Sequence, residues 1–317
     1  MFLLNRRKWR PPRARLRPLG EPVEGWLERE GVSLHYVEWR PVESAPGARP
    51  LLMLHGLSSN ARYWDRLASR LPGHRIVALD QRGHGRTGLP PHEPPVAGGY
   101  TMDQLLDDAA LVIDVVGIDR PVVVGHSWGA TVALELVGTR PGLAAGLVFI
   151  DGPVQSAANM FSWEDAQRFM QPPLPRFASL AEAIAQSESD FQGAWGDDLL
   201  PFVKARVVKN GSAFVLTLKS AVRFELLRGL YDSQPDVLWP RIDVPAIAML
   251  ARDGPARVAG WKELGAARLA ELAPRIEVRW FDTPHDIPIF APAEVAAEVQ
   301  RVSSAAAAAS SSEATAG

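Results

Sequence analysis

One serine in this chain is placed as a nucleophile needs to be. Residues 122–130 read VVVGHSWGA: a β-branched run ends at Gly125, Ser127 stands between Gly125 and Gly129, and an apolar helical pattern over 130–137 follows directly. A serine at a sharp strand-to-helix turn has a cramped backbone, and glycines two residues to either side let neighbouring segments pass closely while the hydroxyl is pushed into the open. The following helix aims its unbonded N–H groups and the positive end of its dipole at the same point. A hydroxyl is a weak nucleophile at neutral pH. The chemistry therefore also asks for a neutral imidazole to take its proton and a carboxylate to fix the ring's tautomer and support its cationic form.

Of the seven histidines, His285 fits best. It follows an expected strand and falls in a loop at the carboxyl edge of the sheet, where sites of such folds gather. His35 lies in an expected hairpin, and His74 and His92 lie in expected surface loops. His55, His84 and His126 belong to glycine-rich segments, where they are expected to hold loops together by hydrogen bonds. Two aspartates that follow expected strands, Asp253 and Asp151, are candidates for the carboxylate. Asp282 and Asp286 are too near His285 in sequence to be preferred, and Asp80 is expected to order its own loop.

These residues need a scaffold, and the hydrophobic pattern supplies one. Residues 25–29 and 32–39 read as two short strands joined by a hairpin turn at Glu30-Gly31. Apolar runs at 51–54, 75–80, 122–124, 146–151, 244–251 and 275–281 read as strands, the continuous ones as strands covered on both faces. Helical spacing appears over 61–71, 261–272 and 292–302. It is clearest after Thr101, which with Gln104 forms a capping-box pattern in front of Leu105, Ala109, Val112, Ile113 and Val116, up to Gly117. Alternating strands and helices imply a mostly parallel central sheet flanked by helices, an α/β fold.

Residues 153–243 break that rhythm with short helical patterns and prolines, and they are expected to be a helical cap inserted between two core segments, 21–152 and 244–302. The insertion's aromatics include Phe161, Trp163, Phe169, Phe177, Phe191, Trp195, Phe202, Phe214, Phe224, Tyr231 and Trp239; most are expected to form its own core, and some to line an apolar pocket. Residues 303–317 form an alanine/serine tail expected to be disordered.

Composition narrows the function further. The chain has 317 residues, 47% of them hydrophobic and 22% charged, with no cysteine. Disulfides, thiolate metal ligands and a cysteine nucleophile are excluded, so the nucleophile is an oxygen or nitrogen group. Neither a metal nor a cofactor is expected. The net charge is −2, but residues 1–20 hold seven basic side chains and no acid, which leaves −9 on the rest. This segment reads as a disordered extension. No basic stripe with interleaved aromatics points to nucleic acid, and no apolar run of 18 residues points to membrane insertion. A cytoplasmic protein acting on a small molecule is expected.

Four local patterns taken together resemble the α/β-hydrolase superfamily: His55-Gly56-Leu57, residues 80–85 (DQRGHG), Gly125-His126-Ser127-Trp128-Gly129, and His285 in TPHDIP at 283–288. The family's chain order of nucleophile, acid and histidine is met by Ser127, Asp253 and His285. Asp253 matches the usual acid position, although the glycine that often precedes the acid is missing. Asp151 remains the alternative, since some members place the acid there. The resemblance also implies backbone donors to a developing oxyanion from Trp128 and Leu57, with Ser58 as second choice to Leu57. Its haloalkane dehalogenases and epoxide hydrolases use an aspartate nucleophile, so Ser127 argues against both. The expectation is a cofactor-independent serine hydrolase cleaving an ester, lactone, thioester or amide through an acyl-enzyme. Cofactor-free haloperoxidases and carbon–carbon bond hydrolases share the pattern, and a non-catalytic ligand receptor is the rival from another class.

Overall fold

The apolar runs assemble into one eight-stranded sheet. The computed structural model describes residues 19–87 and 99–316, so His92 and all but the last two residues of the basic segment 1–20 lie outside the description. Strands β1 (Val23–Arg29) and β2 (Val32–Trp39) form the expected antiparallel hairpin, closed by Glu30 and Gly31 at φ 51° and 77°. Then come β3 (Leu51–Leu54), β4 (Ile76–Leu79), β5 (Val122–His126) and β6 (Gly146–Ile150), whose residues are all buried, as continuous apolar runs covered on both faces must be.

The insertion contributes β7 (Arg176–Phe177), β8 (Val207–Asn210) and β9 (Ala213–Leu216), and the core resumes with β10 (Ala246–Ala251) and β11 (Glu277–Phe281). The main sheet runs β1-β2-β4-β3-β5-β6-β10-β11, parallel from β4 onward. In register, Leu54 pairs with Gly125, His126 with Ile150, Ile150 with Met249, and Ala251 with Phe281. The carboxyl ends of β3, β5, β6, β10 and β11 therefore share one edge, where the loops carrying Leu57, Ser127, Asp151, Asp253 and His285 begin.

Helices cover both faces. On one lie α1 (Met102–Val116) and α2 (Trp128–Thr139), whose apolar residues join Leu52, Val123, Leu147 and Phe149 of the sheet. In α1 the Thr101 hydroxyl accepts from the Gln104 N–H and Gly117 closes the helix at φ 68°, as the pattern predicts. The capping box is only half made, because the Gln104 amide oxygen accepts from Arg29 instead. The expected helix over 61–71 is reduced to a 3-10 turn, Ala61–Trp64, and one α turn, Asp65–Ala68.

Two expectations need correction. The insertion is not purely helical. Besides α3 (Trp163–Met170), α4 (Leu180–Asp190), α5 (Leu200–Arg206) and α6 (Ser220–Asp232), it holds the antiparallel sheet β7-β9-β8. Gly211, at φ 62°, and Ser212 turn its β8–β9 hairpin beyond the paired Asn210 and Ala213, and Gly-Ser between two strand-forming runs is a hairpin signal. The alanine/serine tail is not disordered either. After α7 (Ala256–Leu272), the last helix α8 runs from Pro292 to Ala316, with Val299, Val302, Ser303 and Ala306 buried. Alanine has the highest helix propensity, and here a helix already docked on the sheet continues through it. Among the described residues, no helix is long and apolar enough to cross a membrane.

Candidate active site

Ser127 connects β5 to α2 at φ 54° and ψ −122°, a backbone conformation that costs a non-glycine residue energy and persists only when its surroundings impose it. They do so by close packing. A Cβ on Gly125 would lie 2.4 Å from the carbonyl oxygen of Gly129, and one on Gly129 would lie 2.2 Å from that of Leu54. Only glycines at both places let β3, β5 and α2 approach this closely. The Ser127 N–H donates to the Ile150 carbonyl at 2.8 Å, tying the turn to the tip of β6. The side chain is half-buried, and its hydroxyl makes no hydrogen bond among the described residues.

His285 stands in the loop after β11, and that loop is drawn toward β5. The Nε2–H of His126 donates to the His285 carbonyl at 3.0 Å, and the two rings lie 4.8 Å apart. Burial, and then the neighbouring His285 charge, push the His126 pKa down to about 4, so this ring stays neutral near pH 7. The His285 Nδ1 lies 2.5 Å from Oδ2 of Asp151, which requires that Nδ1 carry the proton if the carboxylate is ionised. Nε2 is then the nitrogen free to accept one.

Asp151 follows β6 directly, at φ 49°, with its side chain fully buried. Its Oδ1 accepts from the Ala251 N–H at 2.9 Å, and Oδ2 also receives the Lys262 ammonium at 2.7 Å. Lys262, from α7, donates as well to the Ala251 carbonyl at 3.0 Å. Burial alone raises the pKa of this carboxyl, but the bonds and charges of His285 and Lys262 outweigh it and hold the pKa below the ordinary carboxylate value. For His285 the signs are mirrored. Desolvation of the ring in its cleft lowers the pKa, the Asp151 bond and charge together with the Asp286 charge raise it by more, and Lys262 takes back part, leaving a net shift upward from 6.5.

The expectation that Asp253 orients the imidazole is corrected here. Asp253 is exposed, and its backbone N–H donates to Thr283 at 3.1 Å, but its carboxylate does not reach the ring, whose Nδ1 is taken by Asp151. The physical reason is the path of the histidine loop, which is held by His126 over the β5–β6 pair and not over β10. The backbone N–H groups of Leu57 and Ser58 differ in their bonding. The Ser58 N–H donates to Nε2 of His84 at 3.1 Å, whereas the backbone N–H groups of Leu57 and Trp128 have no acceptor among the described residues. The other motif residues brace loops. His55 lies between the Gly56 carbonyl and the Gln81 N–H, while Asp80 accepts from the Ala61 and Arg86 N–H groups and from His35.

Ser127 and His285 line two cavities at once. One, about 690 Å³, extends on the Trp128 side and is walled by Val154, Met160, Phe161, Phe169 and Trp261. The other, about 370 Å³, extends on the Leu57 side toward Phe191, Phe202, Arg206 and Arg223. Of the insertion's aromatics, Phe161, Phe169, Phe191 and Phe202 line these cavities, while Phe177 and Trp239 are core and both Phe224 and Tyr231 pack on Trp163.

Comparison with known proteins agrees with this fold. A family model described as alpha/beta hydrolase fold matches residues 49–182. Lipase LipV of Mycobacterium tuberculosis is 31% identical over 279 residues, which cover 85% of this chain and 97% of the lipase. The chain belongs to the α/β-hydrolase fold family, and it is a hydrolase. Epoxide hydrolase B of the same organism is 34% identical over 130 residues, 40% of this chain and 35% of that protein. Among solved structures, the thioesterase domain from the curacin biosynthetic pathway superimposes with a TM-score of 0.70 at 20% identity, over 89% of this chain and all of that one.

Three polar residues at the site were not anticipated. Lys262 lies within an expected helix, where a lysine ordinarily signals a solvent face. Arg206 and Arg223 lie in the insertion, whose fold over the sheet edge leaves no mark at the level of single residues.

Proposed function

We propose that the protein is a serine hydrolase that cleaves a carboxylic ester or a related acyl bond through an acyl-enzyme, with Ser127 as nucleophile, His285 as base and then acid, and Asp151 as the orienting carboxylate. The observation that carries the reading is the strained Ser127 turn beside an imidazole whose Nδ1 is held by a buried aspartate. In the first half-reaction His285 Nε2 takes the hydroxyl proton as Oγ attacks the carbonyl carbon, and Asp151 stabilises the imidazolium. The Leu57 and Trp128 N–H groups receive the oxyanion, each donor contributing about 3 kcal/mol of transition-state stabilisation. The imidazolium then protonates the leaving group, and a water activated by the same ring releases the acid. Residues 153–243 act as a cap that closes the two cavities over the serine.

Near full-length similarity to a lipase supports an ester as the bond cleaved. The epoxide hydrolase match spans only part of each chain, and Ser127 stands where that class carries aspartate. A fluorophosphonate should label Ser127 alone, and a short-chain aryl ester should give a burst of phenol. Folded protein that does neither would support a receptor on the same fold.

A further inference from the structure

The cavity on the Leu57 side holds two guanidinium groups that form no ion pair among the described residues, although Arg206 feels the charges of Asp190 and Asp286 across it. Arg206, the last residue of α5, makes no side-chain hydrogen bond or ion pair among the described residues, and its head lies 5.8 Å from the centre of the Phe202 ring. Arg223, from α6, reaches only neutral acceptors, Ser58 Oγ at 3.2 Å and the Met170 carbonyl at 2.8 Å, while its buried Nε has no partner. Other part-buried arginines of the chain are matched: Arg82 with Asp108, Arg66 with Asp198, Arg75 with Glu38. A desolvated guanidinium that forms no ion pair is costly to maintain, and burial pulls both arginines' pKa values below the ordinary one, in Arg206 by more than the charges of Asp190 and Asp286 raise it.

We propose that this cavity is an anion subsite, and that the substrate carries a carboxylate on the arm that enters it and an apolar group on the arm that enters the cavity beside Trp128. The inference rests on the serine-hydrolase reading, which makes Ser127 the junction of the two arms. Arg223 binds the side chain of Ser58, the residue after the Leu57 oxyanion donor, so the charge lies close to the scissile bond and the charged arm is short. A planar carboxylate suits the fork of a guanidinium, which offers five donors. The size of the charge also favours a carboxylate over a phosphate dianion. Two aspartates face the same cavity, Asp190, held by the Gln186 amide at 2.8 Å, and Asp286, held by the Tyr63 hydroxyl at 3.1 Å. With two positive and two negative side chains, a single added charge fits where a double one does not.

The test uses the full-length protein and isosteric ligands. 4-Phenylbutyrate, 4-phenylbutanamide and 3-phenylpropyl phosphate are titrated by calorimetry, which needs no turnover, and then used as competitive inhibitors of aryl ester cleavage. The carboxylate should bind at least tenfold more tightly than the amide, and Arg206→Met and Arg223→Met should each remove most of that advantage. The charge-keeping Arg206→Lys and Arg223→Lys should retain more of it than the Met variants. Equal affinity for carboxylate and amide in the wild type would overturn the subsite whether or not the variants fold, and tighter binding of the phosphate would overturn the choice of a carboxylate. Should the fluorophosphonate fail to label Ser127 while the carboxylate preference persists, the hydrolase reading falls and the anion site alone stands.

Discussion

The tips of β6 and β10 invite comparison because they are neighbours in one sheet and each is followed by an aspartate at the same edge. Asp151 is fully buried, accepts three hydrogen bonds and holds the His285 ring, whereas Asp253 is exposed and is tied to its surroundings through its backbone. The difference teaches that a carboxylate becomes part of such a site through what is packed around it. A buried aspartate with matched donors is kept ionised and immobile, so its charge is available to an imidazolium. An exposed one is screened by water and free to rotate.

Several experiments can break or sharpen that contrast. The largest effect is expected from Ser127→Ala, which removes the group that the β6 tip serves and should lower kcat by about 10⁴-fold or more. Stopped-flow and steady-state assays on an aryl ester measure it. Gly129→Ala attacks the packing that builds the turn. Its methyl group would press on the Leu54 carbonyl of β3, and a cost of about 3 kcal/mol should appear as a Tm lowered by several degrees. A change of pH separates the aspartates without mutation. Because Asp151 raises the His285 pKa above 6.5, and the ring works as a base only when neutral, the acidic limb of kcat/KM should have its midpoint above pH 6.5, with activity lost as pH falls through it. Lys262→Met gives the smallest effect. Removing a positive charge that lowers the His285 pKa should move that limb to still higher pH, with a modest loss of kcat from a less firmly held carboxylate. A limb unmoved by this change would mean that Lys262 has no hold on the ring's proton.

Much of the scaffold was legible because its signals are local. Continuous apolar runs gave the parallel strands, Thr101 and Gly117 bounded their helix, and glycines flanking Ser127 announced a turn that only glycines allow. Asp151 was legible as a candidate but not as the partner of His285. That choice depends on where the loop after β11 lies, and the loop's course is set by a hydrogen bond to His126 that joins residues 159 positions apart. Lys262 and the two arginines were hidden for a similar reason, since their neighbours come from distant segments. The β8–β9 hairpin and the helical tail are different. Gly211-Ser212 and the alanine run carry the right local signals, but the short helical patterns and prolines around the one and the low complexity of the other outweigh them.

The most direct test compares Asp151→Asn with Asp253→Asn under the same conditions, as kcat on one aryl ester with the fold of each variant checked by circular dichroism. Asp151→Asn should lose about 10⁴-fold, because the amide no longer supports the imidazolium or fixes its tautomer, and Asp253→Asn should stay within about threefold of the wild type. The reverse order, or equal losses, would contradict the assignment of the buried aspartate at the tip of β6 to the His285 ring.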